Sequence, residues 1–72
     1  MDTTEYGKLL NGFLRTLTPE NRVVFLRRYY YVETASEIAS RYRISTWSVH
    51  FRLNRTIAQL HRWLEKERIR YV

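Results

Sequence analysis

The sequence predicts an all-α fold, a single four-helix domain over residues 1–72 that contains a helix-turn-helix and ends in a long C-terminal recognition helix. Three observations lead there. Apolar residues recur three and four apart in successive segments, the spacing of one helix face. The later segments are each preceded by a Thr or Ser placed to cap them. No stretch alternates apolar and polar residues or carries a hairpin dipeptide, so nothing asks for strands. A chain of 72 residues makes at most one domain, and it buries only about 60% of the surface its unfolded form exposes. The core is therefore small and the stability modest. With 44% hydrophobic residues, two Gly and one Pro, the composition is that of a folded unit rather than a linker.

The first helix is expected over residues 4–17, where Leu9, Leu10, Phe13, Leu14 and Leu17 share a face and Thr3 or Thr4 precedes Glu5. Thr18-Pro19-Glu20 then reads as a cap, a proline at the first helical position and an acid in the first turn. This predicts a second helix over 19–31 with Val24, Phe25 and Tyr29 as its core stripe. Adjacent residues of a helix point about 100° apart, so Tyr29, Tyr30 and Tyr31 cannot all be inside, and Tyr29 is the one expected to be buried. Thr34-Ala35-Ser36-Glu37 fits a capping box opening a short third helix over 35–42. Ser45 caps the fourth, over 46–67, whose apolar positions Val49, Leu53, Ile57, Leu60 and Leu64 step by three or four.

The charge of +6 is concentrated in one segment. Residues 1–37 hold five basic and five acidic side chains and are balanced. From Ile38 to Leu64 there is no carboxylate, while Arg41, Arg43, Arg52, Arg55 and Arg62 lie there with His50 and His61. Eleven of the thirteen basic residues are Arg, whose planar fork suits phosphates and guanine edges. That pattern favours nucleic acid over a merely solubilising surface.

Other chemistry finds little support. His50 and His61 are eleven residues apart on the fourth helix, about 16 Å along its axis, too far to share a metal ion. No Ser/His/Asp set, paired carboxylate or glycine loop is visible, so an enzyme, a cofactor site and a metal site are not expected. There is no Cys, which permits the cytoplasm, and the longest apolar run, Tyr29 to Val32, is far too short to span a membrane. No charged-then-apolar leader opens the sequence, and a soluble, cytoplasmic, uncleaved protein is expected. Trp63, beside Leu60 and Leu64, is expected to pack between helices, whereas Trp47 serves packing or recognition equally well.

The segment from Ala35 to Leu53 carries the specific signal: a two-turn helix, a tight turn and a second capped helix. Ile38, Tyr42, Ile44 and Val49 form the expected apolar joint, and Ala39 falls where the helices approach most closely. In such a unit the N-terminal part of the second helix enters the major groove. Its outward residues here are Thr46, Trp47, Ser48, His50, Phe51, Arg52, Asn54 and Arg55.

The run Arg22-Val-Val-Phe-Leu-Arg-Arg-Tyr29, then Glu37-Ile-Ala39, Ile44-Ser45, Ser48-Val-His-Phe-Arg-Leu-Asn-Arg55 and Leu60, with Leu17-Thr-Pro-Glu20 leading, resembles region 4 of the RNA polymerase sigma factors. The resemblance spans about residues 9–67. It implies a helix-turn-helix that reads the upstream, minus-35 element of double-stranded promoter DNA, while other surfaces touch the β-subunit flap of RNA polymerase. On the family's motif, Thr46, Trp47, His50, Phe51 and Asn54 face bases and Arg52 and Arg55 lie near the DNA backbone, where Arg41, Arg43 and Ser48 are also expected. Leu26 and Tyr30, off the core stripe of the second helix, are the candidates for polymerase binding. Three positions depart from the common pattern. Arg43 stands where the turn often has Gly and must adopt a left-handed conformation at some cost or change the turn. His50 and Phe51 replace a frequent basic and a small polar residue; Phe51 suits a thymine methyl, and His50 a purine N7 or a phosphate. Two other uses of the fold stay open: a module that chiefly grips polymerase or an anti-sigma factor, and a basic amphipathic helix on anionic membrane.

Overall fold

The computed structural model describes residues 5–67, and within them four helices follow in order: α1 (Glu5–Leu14), α2 (Pro19–Tyr29), α3 (Ala35–Tyr42) and α4 (Thr46–Lys66). The expected Thr3 or Thr4 cap of the first helix lies outside the described residues. All three later caps form as read. The Thr18 hydroxyl accepts from the Asn21 amide, the Ser45 hydroxyl from the Ser48 amide, and Thr34 and Glu37 make both halves of the capping box. The capping bonds hold the Glu37 carboxyl below its ordinary pKa, first through the Thr34 amide and then through its hydroxyl.

Two helices stop earlier than their apolar spacing suggests. α1 ends at Leu14 rather than 17, because Thr18 must be extended to cap α2 and the chain needs 15–17 to reverse. Arg22 satisfies the carbonyls left there, donating from Nε to Leu14 at 2.9 Å and from Nη2 to Leu17 at 3.1 Å. α2 ends at Tyr29 rather than 31, as Val32 turns left-handed with φ 59° and the Glu33 amide reaches back to the Arg27 carbonyl at 2.9 Å.

The helices close over two adjoining clusters, and α2 and α4 belong to both. Val24, Ile38, Ala39, Val49 and Leu53 form the first, with Ala35 and Ile44 against it. Phe13, Leu14, Leu17 and Phe25 form the second, with Leu26, Ile57, Leu60 and Trp63 packed on it. Neighbouring α2 residues, Val24 and Phe25, thus face different clusters. The front half of α4 is fixed by the helix-turn-helix joint and its back half by α1. Between the halves Thr56 is buried, its hydroxyl satisfied by the Arg52 carbonyl at 2.8 Å. Trp63 packs between helices as expected, 5.9 Å from the Phe13 ring, and Gly12 makes room for it: a Cβ there would lie 3.3 Å from Trp63 Cζ2.

Three aromatic and apolar positions differ from expectation. Tyr29 is 51% exposed, resting its ring on Phe25 at 5.0 Å from the rim of the core. Tyr42 sits at the edge of the joint, where its hydroxyl accepts from Arg27 Nε at 3.2 Å, a bond that burial inside would forbid. Leu10 is exposed, one turn before the cluster that takes Phe13 and Leu14.

Candidate nucleic-acid interface

The turn between α3 and α4 sets the aim of the recognition helix. Arg43 adopts the left-handed conformation with φ 54° and ψ 44°, so the first of the two alternatives for this position holds. It lets the Ile44 amide return to the Ala39 carbonyl at 3.0 Å, and Ile44 packs on the cluster that contains Ala39. Ala39 itself is buried in the crossing, as its size requires.

Val49, Leu53 and Thr56 are the buried stripe of α4. At about 100° per residue, Trp47 and Phe51 lie nearly opposite that stripe, with Asn54 and Arg55 beside them. Thr46 and His50 occupy one flank, Ser48 and Arg52 the other. Exposure follows this order: Trp47, His50, Phe51, Asn54, Arg55 and Thr46 are exposed, whereas Ser48 and Arg52 are half-buried. Of the outward residues of the sequence reading, Trp47, Phe51, Asn54 and Arg55 share one face, and the other four lie on its two flanks.

Their interactions distinguish them. The rings of Trp47 and Phe51 are stacked, 5.2 Å between centroids and 14° between planes, and the Arg55 guanidinium stands 5.6 Å from the Phe51 centroid. Arg52 Nη1 donates to Asn21 Oδ1 at 2.9 Å, which pins its fork between α2 and α4. Asn21, Ser48, Phe51, Arg52 and Arg55 line an open recess of about 300 Å³ on this flank. Ser48 Oγ accepts from Ser45 Oγ at 2.9 Å and keeps its own hydrogen available. Such a recess, with two guanidinium groups and a hydroxyl at its rim, has the chemistry of a phosphate seat.

Arg43 and Arg41 stand further out, and only Arg43 is without a carboxylate partner among the described ion pairs. Arg41 is clamped onto Glu33, Nε to Oε1 at 3.3 Å and Nη2 to Oε2 at 3.0 Å. Arg27 reaches the same carboxylate at 3.1 Å, and its other bond, to the Tyr42 hydroxyl, is the main cause of its raised pKa. Glu33 thus ties the α2–α3 loop to both flanking helices. Glu33 and Asn21 were not among the sequence candidates. No local spacing signals either, since the Asn21–Arg52 contact joins residues 31 apart.

Residues 13–62, well over half of the chain, match the family described as Sigma-70, region 4. The chain belongs to that family. It is thereby a DNA-binding helix-turn-helix domain of the sigma and related transcription factors, which interact with DNA and RNA polymerase. A comparison with characterised proteins finds no match. Among the described residues no helix is long and apolar enough to cross a membrane, and no three His, Asp or Glu side chains gather as a metal site would require.

The polymerase candidates are one helical turn apart, the Tyr30 amide donating to the Leu26 carbonyl at 2.9 Å, and they differ in exposure. Leu26 is half-buried against the second cluster, whereas Tyr30 is 63% exposed with its ring edge-on to Tyr31 at 5.1 Å. The apolar recess beside α2, about 380 Å³, is lined instead by Pro19, Glu20, Val23, Val24, Tyr42, Ile44 and Arg52.

Proposed function

We propose that this region 4 domain reads the upstream, minus-35 promoter element in the cytoplasm and directs transcription initiation, with the front half of α4 in the major groove. The observation that carries this reading is the face of the front half of α4 opposite its buried stripe, which is exposed, bears no carboxylate and presents Trp47, Phe51, Asn54 and Arg55 together. Thr46, Trp47, His50, Phe51 and Asn54 then meet base edges. Arg43, Ser48, Arg52 and Arg55 meet the flanking phosphates, and Arg41 joins them once it leaves Glu33.

The test separates readers from anchors. Each alanine variant is titrated against the best site and its single-base variants at two salt concentrations. Removing a phosphate anchor such as Arg55 weakens all sequences and flattens the salt slope by about one unit. Removing a reader such as His50 or Phe51 relaxes discrimination at one base pair by about 1–3 kcal/mol with the slope unchanged. An Arg52→Ala variant that changes base preference while Phe51→Ala changes nothing would require the helix to be rotated from this placement.

A second surface favours a protein partner. Tyr29, Tyr30, Tyr31 and Val32 are consecutive and exposed, a patch that the DNA reading leaves unused. We assign to it, with Leu26 beneath, the contact with the polymerase β flap or with an anti-sigma factor. Tyr30→Glu is expected to weaken a pull-down with the flap and leave DNA affinity alone.

A further inference from the structure

Trp47 and Phe51 are the largest side chains on the outward face of α4, 71% and 46% exposed, and neither belongs to a core cluster. The stack presents them as one apolar plate, with the Arg55 guanidinium over the Phe51 ring. In the major groove most base-edge groups are hydrogen-bond donors or acceptors; on unmodified bases the apolar group that projects into the groove is the C5 methyl of thymine, where cytosine has only a hydrogen. A ring pressed on a donor or acceptor leaves that group without its water. Pressed on a methyl, it buries two apolar surfaces. Bases along one strand are about 3.4 Å apart, so rings whose centroids are 5.2 Å apart reach neighbouring bases.

Resting on the DNA reading above, we propose that the Trp47–Phe51 plate recognises the C5 methyl groups of two neighbouring pyrimidines. The ligand feature is the methyl itself, carried by thymine or by 5-methylcytosine. Unmodified cytosine, which offers its amino group and no methyl, is the base rejected. Binding at this position is therefore responsive to cytosine C5 methylation. A protein partner on the same plate is the competing use. The surroundings speak against it, since no carboxylate lies between Ile38 and Leu64 and the neighbours are Arg55, His50 and Asn54.

The experiment begins with duplexes selected from a randomised pool by the 72-residue chain. In the best site each thymine is replaced singly by uracil, which lacks only the methyl, and affinity is read by fluorescence anisotropy. Uracil is expected to weaken binding about fourfold at each of one or two adjacent positions and to be neutral elsewhere. Cytosine at such a position binds more weakly still, and 5-methylcytosine recovers part of that loss. Trp47→Ala and Phe51→Ala, with helicity checked by circular dichroism, abolish the thymine–uracil difference without altering the salt slope. The uracil series needs no variant, so it stands even if these do not fold. Uracil tolerated at every position of a specifically bound site overturns the proposal and leaves the DNA reading intact. Failure to bind any duplex removes both. Aromatic variants that bind DNA normally but lose the polymerase flap overturn it in favour of protein docking.

Discussion

Replacing Arg43 by Gly is expected to make the domain more stable and a poorer DNA binder, two effects with separate causes at one residue. Arg43 holds φ 54° and ψ 44°, a conformation that costs an L-residue about 1–2 kcal/mol and glycine almost nothing. The greater freedom of an unfolded glycine returns about 0.5–1 kcal/mol of that. The side chain is exposed, so little packing is lost. The net gain is about 0.5–1 kcal/mol, or roughly 2–8 °C in the thermal midpoint of a domain this small. On DNA the same change deletes one cation near the backbone and reduces the salt slope by about 0.9. Arg43→Ala separates the effects, since it deletes the charge and keeps the strain. It should lose the same salt dependence with no gain in stability. Thermal melts by circular dichroism and anisotropy titrations across several salt concentrations read both quantities. A glycine variant no more stable than the parent would refute the strain argument, and an unchanged slope in both variants would refute the phosphate contact.

Ala39→Leu should overpack the crossing of α3 and α4 and cost about 1–3 kcal/mol, visible as a clear fall in thermal midpoint; an unchanged melt would mean the joint is packed differently. Glu33→Gln should lower stability by about 1 kcal/mol, since its partners Arg27 and Arg41 are partly exposed and screened. It should also free Arg41 and raise low-salt affinity for any duplex, which anisotropy against an unrelated sequence would detect. Glu37 has a lowered native pKa, so its contribution is fully present above the ordinary glutamate value. It is lost as pH falls through the native one. Acid titration of helicity should show that loss in the parent and a flatter profile in Glu37→Gln.

The parts of this fold legible in the sequence are those decided within four residues. Capping is one: Thr18, Thr34 and Ser45 each bond an amide three positions on, and all three helices begin where they were expected. The stripe of α4 and the small residue at Ala39 were readable for the same reason, since helical spacing fixes which side chains share a face. What was not readable depends on how distant segments meet. Tyr29 and Tyr42 look like core residues on their own helices, yet each lies at a rim where its hydroxyl stays wet or bonded. The same holds at the interface. Spacing places Arg41, Arg52 and Arg55 in one basic segment but cannot show that Glu33 holds the first and Asn21 the second. The stacking of Trp47 on Phe51 was within reach, as residues four apart on a helix are neighbours.

On the proposed reading, the face of α4 opposite Val49 and Leu53 is the one that meets DNA. The chain contains no cysteine, so a single introduced one can carry a DNA-cleaving chelate at a chosen place. Asn54→Cys puts it on the proposed face, and Tyr30→Cys on the α2–α3 patch. With both proteins bound to the same selected duplex, cleavage confined to a few base pairs of the site from position 54, and none from position 30, is the predicted result. Cleavage from position 30 with silence at position 54 would contradict it.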